Sequence, residues 1–154
     1  GDRIVFLGNA FFEQAIRHGE LETSLALRWP EKNLSFRNIG WSGDTVFGQS
    51  RTFGRRGAKF GGPEAGFEKM SQHLAELDPD IVFVASGFNE SFEEEAGLEA
   101  FRQGALRLLD MLGALNSEIV LLSPPPMEPG FGAPAASRAC DSLSLTRKTK
   151  HGTS

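Results

Sequence analysis

Four consecutive apolar residues, Ile4-Val5-Phe6-Leu7, run straight into Gly8-Asn9-Ala10, and no other stretch constrains the fold as much. An unbroken apolar run of this length reads as a strand covered on both faces, the situation of a parallel sheet flanked by helices. Its ending in a glycine and two small residues predicts a turn where something approaches the backbone closely. At the switch point of a doubly wound sheet, such a turn faces the ligand crevice. The turn holds no Ser, Thr or Cys, so it offers no side-chain nucleophile.

The segments that follow are read by their periodicity. Phe11-Phe12-Glu13 starts a turn or short helix. Leu21, Leu25 and Trp29 recur at i, i+4 and i+8, predicting a helix from about Gly19 to Trp29 that Pro30 stops. Leu34 to Ile39 alternates apolar and polar, as a half-exposed edge strand does, and runs into Gly40-Trp41-Ser42-Gly43-Asp44-Thr45. Residues 48–66 carry Gly48, Gly54, Gly57, Gly61, Gly62 and Gly66 with Arg51, Arg55, Arg56 and Lys59, and show no period. They read as a long solvated loop, with a basic rim for an anionic substrate as the alternative.

Pro63 opens a helix with Phe67, Met70, Leu74 and Leu77 on its buried face, so Met70 is core and His73 lies beside the stripe. Ile81 to Ala85 is a second buried strand, ending in Ser86-Gly87-Phe88-Asn89-Glu90. The run Glu93-Glu94-Glu95 suits a helix N-terminus. Leu98, Phe101, Ala105, Leu108, Leu112 and Leu115 then mark the clearest amphipathic helix. Ile119 to Leu122 reads as a third buried strand, and Pro124-Pro125-Pro126 forces an extended loop after it.

The 154 residues suit one domain with a real core. A net charge of −4 argues against a nucleic-acid partner. The single cysteine, Cys140, cannot form an internal disulfide, and the three histidines show no metal-ligand spacing. No cofactor or metal is expected. No apolar run reaches the length of a membrane span. No leader precedes a strand that begins by residue 4, which fits a removed N-terminus and leaves location open. Residues 135–154 are small, polar and basic, and read as a disordered or atypical tail after a domain of residues 1–134.

Strand–helix–strand repeated this way predicts an α/β fold: a doubly wound, flavodoxin-like parallel sheet in a three-layer α/β/α sandwich. The half-exposed second strand belongs at an edge, giving order 2-1-3-4 and a unit that reads as incomplete at its C-terminal end. That order brings Gly8-Asn9-Ala10, Gly40-Trp41-Ser42 and Gly87-Phe88-Asn89 to one crevice. Backbone N–H groups and the Asn89 amide could there converge on an oxyanion.

Three segments, Gly8-Asn9-Ala10, Asn38-Ile39-Gly40 with Ser42-Gly43-Asp44-Thr45, and Gly87-Phe88-Asn89-Glu90, resemble in order and position the blocks of the SGNH (GDSL-type) hydrolases. The likeness covers residues 3 to about 126. In that family the first block is Gly-Asp-Ser and supplies the nucleophile. A final Asp-x-x-His block supplies the base and its orienting acid. Here Ala10 stands at the nucleophile position and Asn9 at its acidic neighbour. The last block is absent; His151 follows Lys148 at the relevant spacing, and His18 reads as a surface residue. The resemblance implies an esterase-like domain whose oxyanion-hole positions Gly40 and Asn89 survive. Gly8, Asn9, Trp41, Ser42, Asp44 and Phe88 would line a site for a small ester or an acetylated sugar. It leaves an extracytoplasmic location open.

An oxyanion hole alone retains roughly 10³–10⁴ of rate over water in triad enzymes. Ser42 and Ser86 are the candidate replacement nucleophiles, neither with a base identifiable from sequence, and Asp44 and Glu90 are nearby carboxylates. The readings open at this point are a ligand-binding domain that has lost hydrolysis, a hydrolase with an unusual nucleophile or a base supplied elsewhere, and a non-catalytic module of a longer chain.

Overall fold

A computed structural model describes residues 1–52 and 63–124. The elements run β1 (Arg3–Gly8), α1 (Ala10–Ala15), α2 (Glu20–Arg28), β2 (Ser35–Asn38), α3 (Pro63–Leu77), β3 (Ile81–Ala85), α4 (Glu94–Gly113) and β4 (Glu118–Leu122), with three short 3-10 turns between them. The four strands form one parallel sheet in the order β2-β1-β3-β4.

Period-2 geometry splits the apolar runs of β1 and β3 between two cores. Val5, Leu7, Val82 and Val84 face one side and pack with Phe67, Met70 and Leu74 of α3 and Phe101, Leu108 and Leu112 of α4. Ile4, Phe6 and Ala85 face the other, against Phe12 of α1, with Leu21 and Leu25 of α2 and Phe36 of β2 around them. The register sets Phe6 opposite Phe83, and their rings lie 5.5 Å apart. These two cores make the three α/β/α layers.

Three expectations are corrected. Trp29 is not on the packed face of α2; it follows the helix as its C-cap and is exposed. Leu98 is likewise exposed, so the buried stripe of α4 begins at Phe101. β4 is not a covered strand: Leu121 and Leu122 are 49% and 36% exposed. Among the described residues it pairs with β3 alone, so it forms an edge.

Residues 48–52 are ordered rather than solvated. A 3-10 turn spans Gln49–Thr52, and both Arg51 and Thr52 are buried. Gly48 lies against Gly66 in the first turns of α3, where a Cβ on Gly66 would sit 2.0 Å from the Gly48 carbonyl oxygen. Arg55, Arg56 and Lys59, the expected basic rim, lie outside the described residues, as do Pro125, Pro126 and the whole 135–154 segment. No helix among the described residues is long and apolar enough to cross a membrane.

Candidate active site

The turn after β1 closes on the protein itself. A Cβ on Gly8 would lie 2.1 Å from the Ala85 carbonyl oxygen, so the group approaching this glycine is the neighbouring strand β3. The Gly8 carbonyl accepts the Trp41 N–H at 2.9 Å. Asn9 is 5% exposed and caps α1, its Oδ1 accepting the Phe11 N–H at 3.0 Å while its own N–H donates to Ala85. Its expected place on the substrate surface is therefore taken by a helix-capping role. Ala10, the first residue of α1, is half-buried, and Phe11 beside it is exposed.

The loop after β2 is built by Asn38. Its Nδ2 donates to the Phe12 carbonyl at 2.8 Å and its Oδ1 accepts the Gly40 N–H at 2.9 Å. The Gly40 N–H thus has an internal acceptor and would have to leave Asn38 to serve an oxyanion. Gly40 is glycine because α1 packs against it: a Cβ would meet Phe12 Cβ at 2.7 Å and the Glu13 nitrogen at 2.8 Å. Trp41 and Ser42 follow, both exposed. Ser42 donates its backbone N–H at 2.9 Å and its hydroxyl to Glu13 Oε2.

Asp44 turns inward. It accepts Arg51 Nε at 2.8 Å and the Ser50 N–H at 3.2 Å, while Arg51 also donates to the Ile39 carbonyl at 2.7 Å. Burial pushes the Asp44 carboxyl above its ordinary value, despite the Arg51 guanidinium beside it. Asp44 thus holds its loop rather than lining a surface.

The loop after β3 is tied to the loop after β2 by two residues. Asn89 Nδ2 donates to the Asp44 carbonyl at 2.7 Å. Glu90 accepts the Val46 N–H at 2.8 Å on one oxygen and the Gly87 N–H at 3.0 Å on the other. Burial raises the Glu90 carboxyl also, with these N–H donors opposing the rise. Phe88 is half-buried, its ring edge-on to the exposed Phe92 at 5.5 Å.

The topology therefore gathers the three predicted strand-end loops, with Ala10, Trp41, Ser42, Phe88 and Asn89 at least partly open to solvent. Two residues central to the arrangement carry no local sequence signal. Arg51 lies seven positions from Asp44 in a stretch without periodicity, and Glu13 lies 29 positions from Ser42. Glu13 does fall one helical turn after Ala10, a spacing from which its nearness to these loops could have been read.

No protein-family model and no curated relative matches the sequence. Solved structures do. An acetyl xylan esterase superposes with a TM-score of 0.65 at 12% identity, over 91% of this chain and 67% of that one. An acetylxylan esterase from Geobacillus stearothermophilus, solved as a catalytic mutant, gives 0.63 at 16%, over 92% and 68%. A GDSL-like lipase from Bacteroides thetaiotaomicron gives 0.59 at 18%, over 92% and 60%. The chain spans about two thirds of the two esterases and less of the lipase. Likeness at such identity is likeness of fold, and with the strand order and the two-sided core it gives one conclusion: this chain has the α/β fold of the SGNH (GDSL-type) hydrolases.

Proposed function

We propose that the crevice between the three strand-end loops binds ester-bearing ligands, acetylated carbohydrate in particular, and that Ala10 closes the serine route of SGNH hydrolases in this chain. The observation that carries the reading is the fold itself, shared with esterases named for acetylated xylan and xylooligosaccharide. The chemistry of the loops agrees with it. Exposed Trp41 and Phe11 offer flat apolar surface for a sugar ring, Ser42 offers a hydroxyl, and Asn89 carries an amide with two N–H donors, one of them engaged by Asp44. With alanine at position 10, no oxygen stands there to attack the acyl carbon.

The test is ligand-dependent stabilisation. An acetylated xylooligosaccharide at 100 times its dissociation constant stabilises the native state by about 2.7 kcal/mol. The expected result is a rise in melting temperature that the deacetylated sugar does not reproduce and that Asn89→Ala reduces. Equal melting curves with and without both sugars would overturn the reading and leave a module that uses the fold for protein contacts.

A further inference from the structure

We infer that Ser42 and Glu13 form a nucleophile–base pair at the mouth of this crevice, a route to ester cleavage that does not pass through position 10; the inference rests on the ester-binding reading above. Ser42 is exposed on the loop after β2, and its hydroxyl donates directly to Glu13 Oε2. A hydroxyl in hydrogen-bond contact with a carboxylate is the arrangement a general base requires.

The carboxylate is held in place from two sides. The Ser42 N–H donates to the same oxygen, and Glu13 belongs to α1, its own N–H bonded to the Asn9 carbonyl at 3.3 Å. The loop carrying Ser42 is fixed in turn: Trp41 is bonded to Gly8, and two residues past Ser42 the Asp44 carbonyl receives the Asn89 amide. A serine merely satisfying its turn would bond its own backbone. This one reaches 29 residues back to an ionisable group.

The chemistry closes with water as the one further reactant. The Ser42 Oγ lone pair forms a bond to the ester carbonyl carbon, the hydroxyl proton passes to Glu13 Oε2, and the carbonyl pair moves onto oxygen. Collapse breaks the bond to the alcohol oxygen, which takes the proton from Glu13 and leaves as the alcohol. Water then attacks acyl-Ser42 and gives its proton to Glu13. The carboxylic acid departs and Ser42 regains its proton.

The experiment is active-site labelling of the intact chain with an ethyl fluorophosphonate, located by peptide mass mapping. The Ser42 oxygen would displace fluoride and retain the phosphonyl group. The expected result is label on Ser42 in the wild type, none in Ser42→Ala, and labelling slowed about a hundredfold in Glu13→Gln. Glu13→Asp, which keeps a carboxylate, should recover part of the rate, and that recovery separates base catalysis from loss of loop structure. No label, label on another residue, or a rate indifferent to Glu13→Gln would overturn the pair. Stabilisation by the acetylated sugar without label on Ser42 would overturn the pair alone. Label without stabilisation would overturn the proposed ligand and keep the pair.

Discussion

Arg51 Nε meets Asp44 Oδ2 at 2.8 Å with both side chains only 3% exposed. The pair fastens the loop after β2 to the 3-10 turn at Gln49–Thr52, and Arg51 extends it to the Ile39 carbonyl. Through the Asp44 carbonyl the same loop holds Asn89. A buried ion pair is thus the mechanical link between the edge strand β2 and the loop after β3.

Arg51→Ala should therefore destabilise strongly. Removing one partner strands the other charge in a dry site, at a cost of about 3–5 kcal/mol. Urea denaturation of Arg51→Ala and Asp44→Asn, with the double variant, measures the coupling. A loss under 1 kcal/mol for Arg51→Ala would mean that water reaches the pair.

Glu90 gives a prediction in pH. Its folded pKa is raised by burial. A raised carboxyl favours folding in its protonated form. That contribution is fully present below the unfolded value and is lost as pH rises through the folded one. Glu90→Gln removes the titration, so the melting-temperature gap between wild type and variant should be wider in mild acid than at neutral pH. The variant should be the less stable at acid pH, because a Gln amide cannot accept from both Val46 and Gly87. A gap that widens toward neutral pH would show that the backbone donors outweigh burial.

The strands were legible because apolar runs report burial locally. Ile4–Leu7 reads as covered and is, Ile81–Ala85 is covered at Val82, Val84 and Ala85 with Ile81 and Phe83 only partly buried, and the alternation around Phe36 marked an edge. The same signal misled at Ile119–Leu122. An apolar run states what a strand would bury, not which neighbours stand beside it, and Leu121 lies open on an edge. The site residues were legible as positions on loops, because strand order alone gathers them. Their commitments were not. That Gly40 gives its N–H to Asn38, that Asp44 faces Arg51, and that Ser42 finds Glu13 are contacts fixed by tertiary geometry, with no period in the chain to announce them.

Gly66 tests packing against propensity. In an exposed helix, glycine to alanine gains roughly 1 kcal/mol. In α3 the added Cβ would fall 2.0 Å from the Gly48 carbonyl oxygen, and backbone cannot move aside cheaply. Gly66→Ala should thus destabilise by about 1–3 kcal/mol, the cost of overpacking. A stabilised variant would mean that α3 and the Gly48 turn sit farther apart than the structure places them.

Leu112 and Leu121 should respond very differently to substitution although both are leucines. Leu112 is fully buried on α4 against the sheet, so Leu112→Ala removes packed volume and should cost about 2–5 kcal/mol. Leu121 is half exposed on β4, and Leu121→Thr keeps a strand-compatible branched side chain there. Its effect should stay within about 0.5 kcal/mol, as for an ordinary surface position. Denaturant midpoints of the two variants at matched slopes decide the matter. A cost for Leu121→Thr approaching that of Leu112→Ala would show that the sheet face carrying Leu121 is covered in solution.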